Sequence, residues 1–147
     1  MEIEEIQESL LTVMPYWNYR ISKPFKHLLD DGITLEMYYC LQIIRSFEKA
    51  PTMSELGQRV RMSKQQMTKI VNRLDELAFV ERRHDPLNRR AVRIYITDNA
   101  LRYAEDFRRK KAECFREILG NMDEQDQADF KQAIDVLIRV LSKGTKE

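Results

Sequence analysis

Two helix-capping patterns in close succession constrain this chain more than any other feature of its sequence. The segments Thr-Met-Ser-Glu at 52–55 and Ser-Lys-Gln-Gln at 63–66 each place a hydroxyl residue three positions before Glu or Gln. In such a capping box the hydroxyl caps the new helix, and the Glu or Gln side chain reaches back to the cap amide. Because the two caps are eleven residues apart, only a short helix over 53–59 and a tight turn over 60–62 fit between them. The spacing predicts a helix-turn-helix.

The second helix of this pair has one apolar face and one polar face. Its apolar stripe has the i, i+3, i+4, i+7 spacing that faces a core and consists of Met67, Ile70, Val71, Leu74 and Leu77. Its opposite face carries Gln65, Thr68, Lys69, Asn72 and Arg73. Amides can pair with base edges and cations can bind phosphates, so this face is suited to DNA. It also fits an ordinary solvent-exposed surface, and the helix alone does not decide between the two.

A strongly basic hairpin is predicted next. Segments 79–84 and 91–97 have strand-like alternation, and the Asp-Pro pair at 85–86 favours a type I turn between them. The tip and stems carry Arg82, Arg83, Arg89, Arg90 and Arg93. Five guanidinium groups on one short hairpin repel each other unless anions are nearby, and such an arm suits the narrow minor groove of DNA.

Further helical patterns occupy both ends of the chain. The segment 3–29 should form a bent helix, because Pro15 and Pro24 each remove an amide donor. Thr34 can cap a helix that runs to about Glu48.

After the hairpin, Thr97 or Asp98 can cap a long helix that reaches about Leu119, and Asp123 can cap a last one. These long amphipathic helices cannot bury their apolar stripes on segment 34–97 alone. We expect them to pack on each other and on a second subunit.

The charge distribution supports this division of the chain. The 25 basic and 24 acidic residues give a net charge of only +1. Residues 59–93, however, hold ten basic and four acidic side chains, a net of +6, and the remainder has a net of −5. The near-neutral total therefore conceals a basic segment in an acidic chain, which is suited to a localised anionic partner.

Several other classes of protein are disfavoured. No phosphate loop, nucleophile elbow or dinucleotide fingerprint is present, so we expect no enzyme activity. With two histidines in the chain, we expect no metal site and no cofactor. Cys40 and Cys114 suit reduced thiols better than a disulfide. The N-terminus is acidic and the longest apolar run, 37–41, is far too short to span a bilayer, so we expect a cytoplasmic protein without a membrane partner.

Several elements, in order, resemble the MarR family of winged helix-turn-helix transcriptional regulators. They are Ile-Thr at 33–34, Ser-Glu-Leu-Gly at 54–57, the predicted helix at 63–74, the hairpin signature at 85–94 and Ile-Thr at 96–97. The resemblance implies a mainly α fold with a small β-hairpin wing. Residues 33–97 would form the winged helix-turn-helix DNA-binding domain, and 1–32 with 98–147 would form a helical dimerisation region.

The resemblance also implies how such a chain binds DNA. A homodimer would place each recognition helix in a major groove and each wing in a minor groove of a pseudo-palindromic operator, acting most simply as a repressor. Arg90 is the first candidate for insertion into the minor groove. Combined with the polar helix face, the predicted DNA contacts are Ser63, Lys64, Gln65, Gln66, Thr68, Lys69, Asn72, Arg73, Arg89 and Arg90.

Three residues depart from the family pattern. Asn88 replaces an acidic residue of the wing, so a neutral hydrogen bond or Asp85 must orient Arg90. Ala78 replaces the Gly that follows the recognition helix, and at positive φ it would cost about 1 kcal/mol relative to Gly. Arg61 replaces a small turn residue.

Members of the family commonly respond to phenolic or other amphipathic ligands, or to oxidants. The resemblance therefore implies an effector site near the junction of the two regions, with release from DNA by a small molecule. Its candidate lining residues are Tyr16, Trp17, His27 and Tyr38, joined by Tyr19 and Tyr39. Ordinary packing at a subunit junction is the alternative explanation for each of these side chains. Cys40 is interpreted as a buried thiol, whereas Cys114 lies among cations that would lower its pKa if it were exposed.

Two functions therefore remain open at this stage. One is a sequence-specific DNA-binding regulator. The other is a winged-helix module that uses the same surface for protein assembly without binding DNA. A neutral or acidic wing would have favoured this second function, whereas the wing of this chain is basic.

Overall fold

The computed structural model describes residues 2–143 and has the expected mainly helical fold with one antiparallel hairpin. Residues 1 and 144–147, at the ends of the predicted dimerisation region, lie outside the described part of the chain. The elements are α1 (Ile3–Trp17), α2 (Lys23–Leu28), α3 (Leu35–Ser46), α4 (Met53–Val60), α5 (Lys64–Glu76), β1 (Val80–His84), β2 (Val92–Ile96), α6 (Asp98–Lys110), α7 (Ala112–Leu119) and α8 (Glu124–Leu141).

The interruption predicted in the first helix takes the form of a π-helical turn. Residues Asn18–Ser22 form this turn between α1 and α2, and the N–H of Lys23 bonds the carbonyl of Asn18, five residues back. Pro15 lies inside α1 and Pro24 lies in the first turn of α2. A proline removes one hydrogen bond of the regular ladder and crowds the preceding turn, and a wider π turn accommodates both effects.

The helix-turn-helix begins at the predicted caps. The hydroxyl of Thr52 accepts from the N–H of Glu55 at 3.1 Å, and the hydroxyl of Ser63 accepts from the N–H of Gln66 at 3.2 Å. The other half of each box is different from the prediction. Glu55 accepts from the Thr52 hydroxyl at 3.2 Å instead of taking the cap amide, and the Gln66 side chain makes no such bond.

The core lies inside the helix-turn-helix and under the hairpin. It contains the recognition-helix residues Met67, Val71 and Leu74 together with Met37, Cys40, Ile44, Leu56, Phe79, Val80, Ile94 and Ala100. Leu77 was predicted to belong to the same stripe, but it is 39% exposed. The helix ends at Glu76, so the helical spacing no longer aims Leu77 at the core.

The long helix predicted after the hairpin is divided in two. Thr97 caps α6 by accepting from the N–H of Ala100 at 3.1 Å, but Lys111, with φ −99° and ψ 9°, separates α6 from α7. The break lets Phe115 of α7 approach both Phe25 (6.0 Å between ring centroids) and Phe107 (6.4 Å). No Gly or Pro marks this break, which is stabilised by packing between distant segments.

The terminal helices expose long apolar faces. Every residue of α1 is exposed, including Leu10 and Leu11. On α8, Leu137 and Ile138 are 49% and 59% exposed. None of the helices within residues 2–143 is long and apolar enough to cross a membrane.

Candidate nucleic-acid interface

The recognition helix α5 presents the predicted polar face to solvent. Its exposed residues include Ser63 at the cap and Lys64, Gln65, Gln66, Thr68, Lys69, Asn72 and Arg73. Two of these side chains already have partners: the Thr68 hydroxyl donates to the carbonyl of Lys64 at 2.9 Å, and the Asn72 amide oxygen accepts from Arg82. The side chains of residues 64–66, 69 and 73 make no hydrogen bond or ion pair within the described residues.

The hairpin pairs β1 with β2 in antiparallel register, with Arg82 opposite Ile94 and His84 opposite Val92. Its tip consists of two successive turns, each begun by an Asx residue. The N–H of Asn88 bonds the carbonyl of Asp85 at 3.3 Å, and the N–H of Ala91 bonds the carbonyl of Asn88 at 2.9 Å. We call residues 85–91 the wing tip.

Asp85 is the one buried charged residue of the described chain, at 5% exposure. Its carboxylate accepts from Nε of Arg93 at 2.6 Å and from the N–H of Leu87 at 2.8 Å. The hydrogen bond from Arg93, followed by that from the Leu87 amide, holds the pKa of Asp85 below its ordinary value. The carboxylate is therefore charged at neutral pH and fixes the wing tip.

Arg93 connects the hairpin to the helix-turn-helix. Its Nη1 donates to the carbonyl of Ala50 at 2.6 Å and lies 3.6 Å from Glu55, which belongs to α4. The backbone continues the connection, because the N–H of Ile94 bonds the carbonyl of Pro51 at 2.8 Å. Because Arg93 is almost buried and fully paired, it acts as a support for the wing.

Two further arginines of the hairpin are paired within the domain. Arg82 donates to Asp75 of α5 at 2.9 Å. Arg83 pairs with Glu81 at 2.9 Å and lies over the Tyr95 ring, 4.6 Å from its centroid. Together with Arg93, which is paired with Asp85, three of the five hairpin arginines therefore have a nearby carboxylate that offsets their mutual repulsion.

Arg89 and Arg90 are the exception. Both are exposed, and within residues 2–143 no carboxylate lies within ion-pair distance of either. Asn88 supplies the neutral hydrogen bond expected in place of an ion pair, but its oxygen accepts from the backbone N–H of Arg90 at 3.2 Å. The turn fixes the Arg90 backbone and leaves its guanidinium free for an external anion.

The two unusual turn residues adopt left-handed backbone conformations. Ala78 has φ 59° and Arg61 has φ 55°, so both stand where Gly is favoured. The carbonyl of Ala78 accepts from the hydroxyl of Thr97 at 2.5 Å, which joins the end of α5 to the start of α6. Ala78 therefore has the positive φ on which the expected cost of about 1 kcal/mol depends.

A cavity of about 320 Å³ lies between α3 and α6. Its apolar walls include Leu41, Phe79 and Phe107, and Arg45 and Arg108 also line it. Of the four aromatic and histidine residues predicted for an effector site, Tyr38 lines this cavity. Tyr16, Trp17 and His27 do not line it and are exposed on α1 and α2; Tyr19 and Tyr39 are likewise exposed.

Tyr103 joins this cavity to the recognition helix. Its ring lies 5.0 Å from that of Phe79, which follows directly after the turn at the end of α5. Its hydroxyl donates to Asp30, and partial burial, with the Asp30 carboxylate next in importance, raises the pKa of Tyr103 well above its ordinary value. The hydroxyl therefore stays protonated and holds α6 to the turn before α3.

The cysteines have different environments. Cys40 is fully buried, and burial, reinforced by Glu36, raises its pKa to about 11. Its interpretation as a buried thiol is confirmed, and a thiol of this kind is inert at neutral pH. Cys114 is half-buried and is not in a disulfide.

This geometry defines a winged helix-turn-helix, and residues 31–91 match the model described as MarR family. This match covers the winged helix-turn-helix region and agrees with the resemblance that its motifs indicated. No curated protein is significantly similar to the chain in sequence.

Solved structures share the fold over nearly the whole chain. The transcriptional regulator BldR from Sulfolobus solfataricus is 18% identical with a TM-score of 0.68, covering 98% of this chain and 99% of that one. A MarR family protein from Bacillus stearothermophilus is 19% identical with a TM-score of 0.69, covering 97% and 99%.

A cysteine-to-serine mutant of MarR from E. coli, in complex with operator DNA, is also similar. It is 18% identical with a TM-score of 0.62 and covers 88% of this chain and 96% of that one. BldR is described as a transcriptional regulator, and the MarR mutant is described in complex with operator DNA.

Proposed function

We propose that the protein is a sequence-specific DNA-binding transcriptional regulator that acts as a repressor on a pseudo-palindromic operator in the cytoplasm. The observation that carries this proposal is the pair Arg89 and Arg90, which the wing tip presents without a carboxylate partner among residues 2–143 while the other hairpin arginines are paired. Unpaired guanidinium groups on a fixed turn are suited to the negative potential of a minor groove.

The recognition helix supplies the second part of the interface. Gln65, Gln66 and Lys69 are exposed on α5, with Ser63, Lys64, Thr68, Asn72 and Arg73 around them. Amide side chains can read base edges in the major groove, and the cations can bind phosphates. The Arg82 contact with Asn72 and Asp75 joins the hairpin to this helix, so the two binding surfaces move together.

The proposed operator symmetry rests on a proposed homodimer. Residues 33–97 act as the DNA-binding domain, and residues 1–32 and 98–147 provide the dimerisation region. Its support is the exposed apolar faces of α1 and α8, of which Leu10, Leu11, Leu137 and Ile138 are examples. Exposed apolar faces that extend along whole helices are typical of surfaces that a second subunit covers.

We place a small-molecule effector in the cavity beside Tyr38. Apolar walls with Arg45 in the lining suit an amphipathic organic anion. Arg108 also lines the cavity but is paired with Glu105. A ligand that moved Phe79 or Tyr103 would disturb the end of α5, because the N–H of Phe79 bonds the carbonyl of Leu74 in that helix and the two rings are in contact. Tyr16, Trp17 and His27 stay candidates for a ligand surface shared with the second subunit.

The discriminating experiment is a mobility-shift titration with the DNA upstream of the protein's own coding sequence, at several salt concentrations. Specific binding should weaken with a log-log slope of about 0.9 per phosphate neutralised. Gln65→Ala should lose discrimination between sites while it keeps general affinity. A flat salt response, or no shift at all, would favour the alternative of a winged-helix protein-interaction module that does not bind DNA.

A further inference from the structure

Leu87 is an unusual residue for its position. It lies at the wing tip and is 92% exposed, more than any other large apolar side chain of the described residues. Most of the strongly exposed apolar residues lie on α1 and α8, where they form continuous faces. Leu87 belongs to neither face, and neither the core nor the cavity includes it.

The wing tip holds Leu87 in a fixed orientation. Its N–H donates to the Asp85 carboxylate at 2.8 Å, and Asp85 is itself held by Arg93 at 2.6 Å. Pro86 precedes it and has a restricted φ. On the other side of the tip, Nδ1 of His84 donates to the carbonyl of Arg89 at 2.8 Å. Little conformational entropy remains to be lost from the backbone of Leu87 when it contacts a partner.

Leu87 also shares this tip with the two unpaired arginines, which follow it by two and three residues. A surface that receives Arg89 and Arg90 therefore meets Leu87 as well. The walls of the DNA minor groove are formed by deoxyribose and present apolar C–H groups, and leucine is among the apolar residues that proteins insert there.

We infer that Leu87 is a DNA-contacting residue that packs against the deoxyribose wall of the minor groove when the wing tip enters it. This inference rests on the proposed DNA-binding function and adds to it an apolar contact beside the cationic ones. Because Leu87 carries no charge, its contribution releases no counterion and should be independent of salt. That property separates it from every lysine and arginine of the interface.

The test compares Leu87→Asn with Leu87→Met in a salt series on operator DNA. Asn is tolerated in turns, and replacing a side chain as exposed as Leu87 should leave the fold unaffected. Unfolding curves can verify this. Leu87→Asn should raise the Kd about tenfold, or about 1.4 kcal/mol, equally at each salt concentration. Leu87→Met should bind nearly as well as the wild type, and Arg89→Ala should reduce the salt slope by about one phosphate contact.

Two results would overturn the inference while leaving the proposed function intact. In one, the wild type binds DNA and Leu87→Asn binds equally well. In the other, Leu87→Asn changes the salt slope as an arginine variant does, which would mean that it disturbs the wing and not an apolar contact. Absence of binding by the wild type would instead contradict the proposed function itself.

A footprint adds an independent readout. Hydroxyl radicals abstract hydrogens from deoxyribose in the minor groove, so packing by Leu87 should protect sugars at each wing site. Leu87→Asn should reduce that protection at saturating protein, because Arg89 and Arg90 still enter the groove, while protection by the recognition helix stays. Unchanged protection of the wing sites by Leu87→Asn would contradict the inference.

Discussion

The winged domain and the terminal helices leave opposite kinds of groups without a partner. In the winged domain most of the apolar side chains form a core, and three of the five hairpin arginines are paired. Within the described residues, the unpaired charge of the hairpin is that of Arg89 and Arg90, next to the exposed cations of α5. In α8 the situation is reversed, because Lys131 pairs with Asp135 at 2.6 Å while apolar side chains stay exposed, as they also do on α1.

This difference indicates which partner each region takes. Unpaired cations on a fixed turn favour a polyanion, and their binding is weakened by salt. Exposed apolar faces favour a second apolar surface, and hydrophobic association is little affected by moderate salt. The two regions can therefore be tested separately by variants that change one kind of group at a time.

The largest effect is expected from a charge placed on the apolar face of α8. Ile138→Asp should convert the proposed dimer to monomers, because a buried unpaired carboxylate is strongly unfavourable at an apolar interface. Loss of the second half-site contact should then weaken operator binding by about 100-fold or more. Sedimentation velocity measures the first effect and a mobility-shift titration the second.

Gln132→Asp is the matched control, because Gln132 is an exposed polar residue of the same helix. It introduces the same charge and should leave the oligomeric state unchanged. A monomeric wild type, or an Ile138→Asp variant that remains dimeric, would show that α8 does not form the subunit interface.

The next effect concerns charge at the wing tip. Arg90→Ala should weaken operator binding by about 1–3 kcal/mol, because an unpaired guanidinium leaves the groove. Arg83→Ala should change binding much less, since Arg83 is already paired with Glu81 and packed on Tyr95. Equal losses in the two variants would show that pairing within the hairpin does not decide which arginine binds DNA.

A smaller effect is expected from pH. Asp85 has a lowered pKa in the folded protein because it accepts from Arg93 and from the Leu87 amide. Its contribution to folding is therefore complete above its unfolded pKa of about 4 and is lost as the pH falls through the lower folded value. Asp85→Asn should unfold more easily than the wild type at pH 7, and the difference in Tm should shrink below about pH 4. Thermal unfolding curves that stay equally far apart from pH 7 to pH 3 would contradict this.

The sequence predicts what adjacent residues decide. The caps Thr52 and Ser63, the polar face of α5 and the positive φ of Ala78 all depend on residues within one turn of each other, and the structure has them as expected. The turn at the wing tip is also decided by neighbouring residues, since the Asn88 side-chain oxygen accepts from the N–H of Arg90, two residues away.

What the sequence does not predict depends on packing between distant segments. The break at Lys111 has no local signal and exists because Phe115 meets Phe25. Arg93 looks like one more basic residue of a hairpin, yet it is paired with the carbonyl of Ala50, 43 residues away. The cavity has the same origin, because its lining comes from α3, α6 and the strand-flanking residue Phe79.

The smallest effect is expected from relieving backbone strain at one position of the winged domain. Ala78 has φ 59°, so Ala78→Gly should relieve about 1–2 kcal/mol of left-handed strain and lose part of that gain, about 0.4–1 kcal/mol, to the more flexible unfolded chain. The hydrogen bond from Thr97 to the carbonyl of residue 78 is a backbone interaction and survives the change. A modest rise in Tm is therefore expected, with operator binding unchanged. Ala128→Gly, on an exposed position inside α8, should instead lower stability by about 1 kcal/mol, and a loss of stability in both variants would mean that residue 78 is not strained.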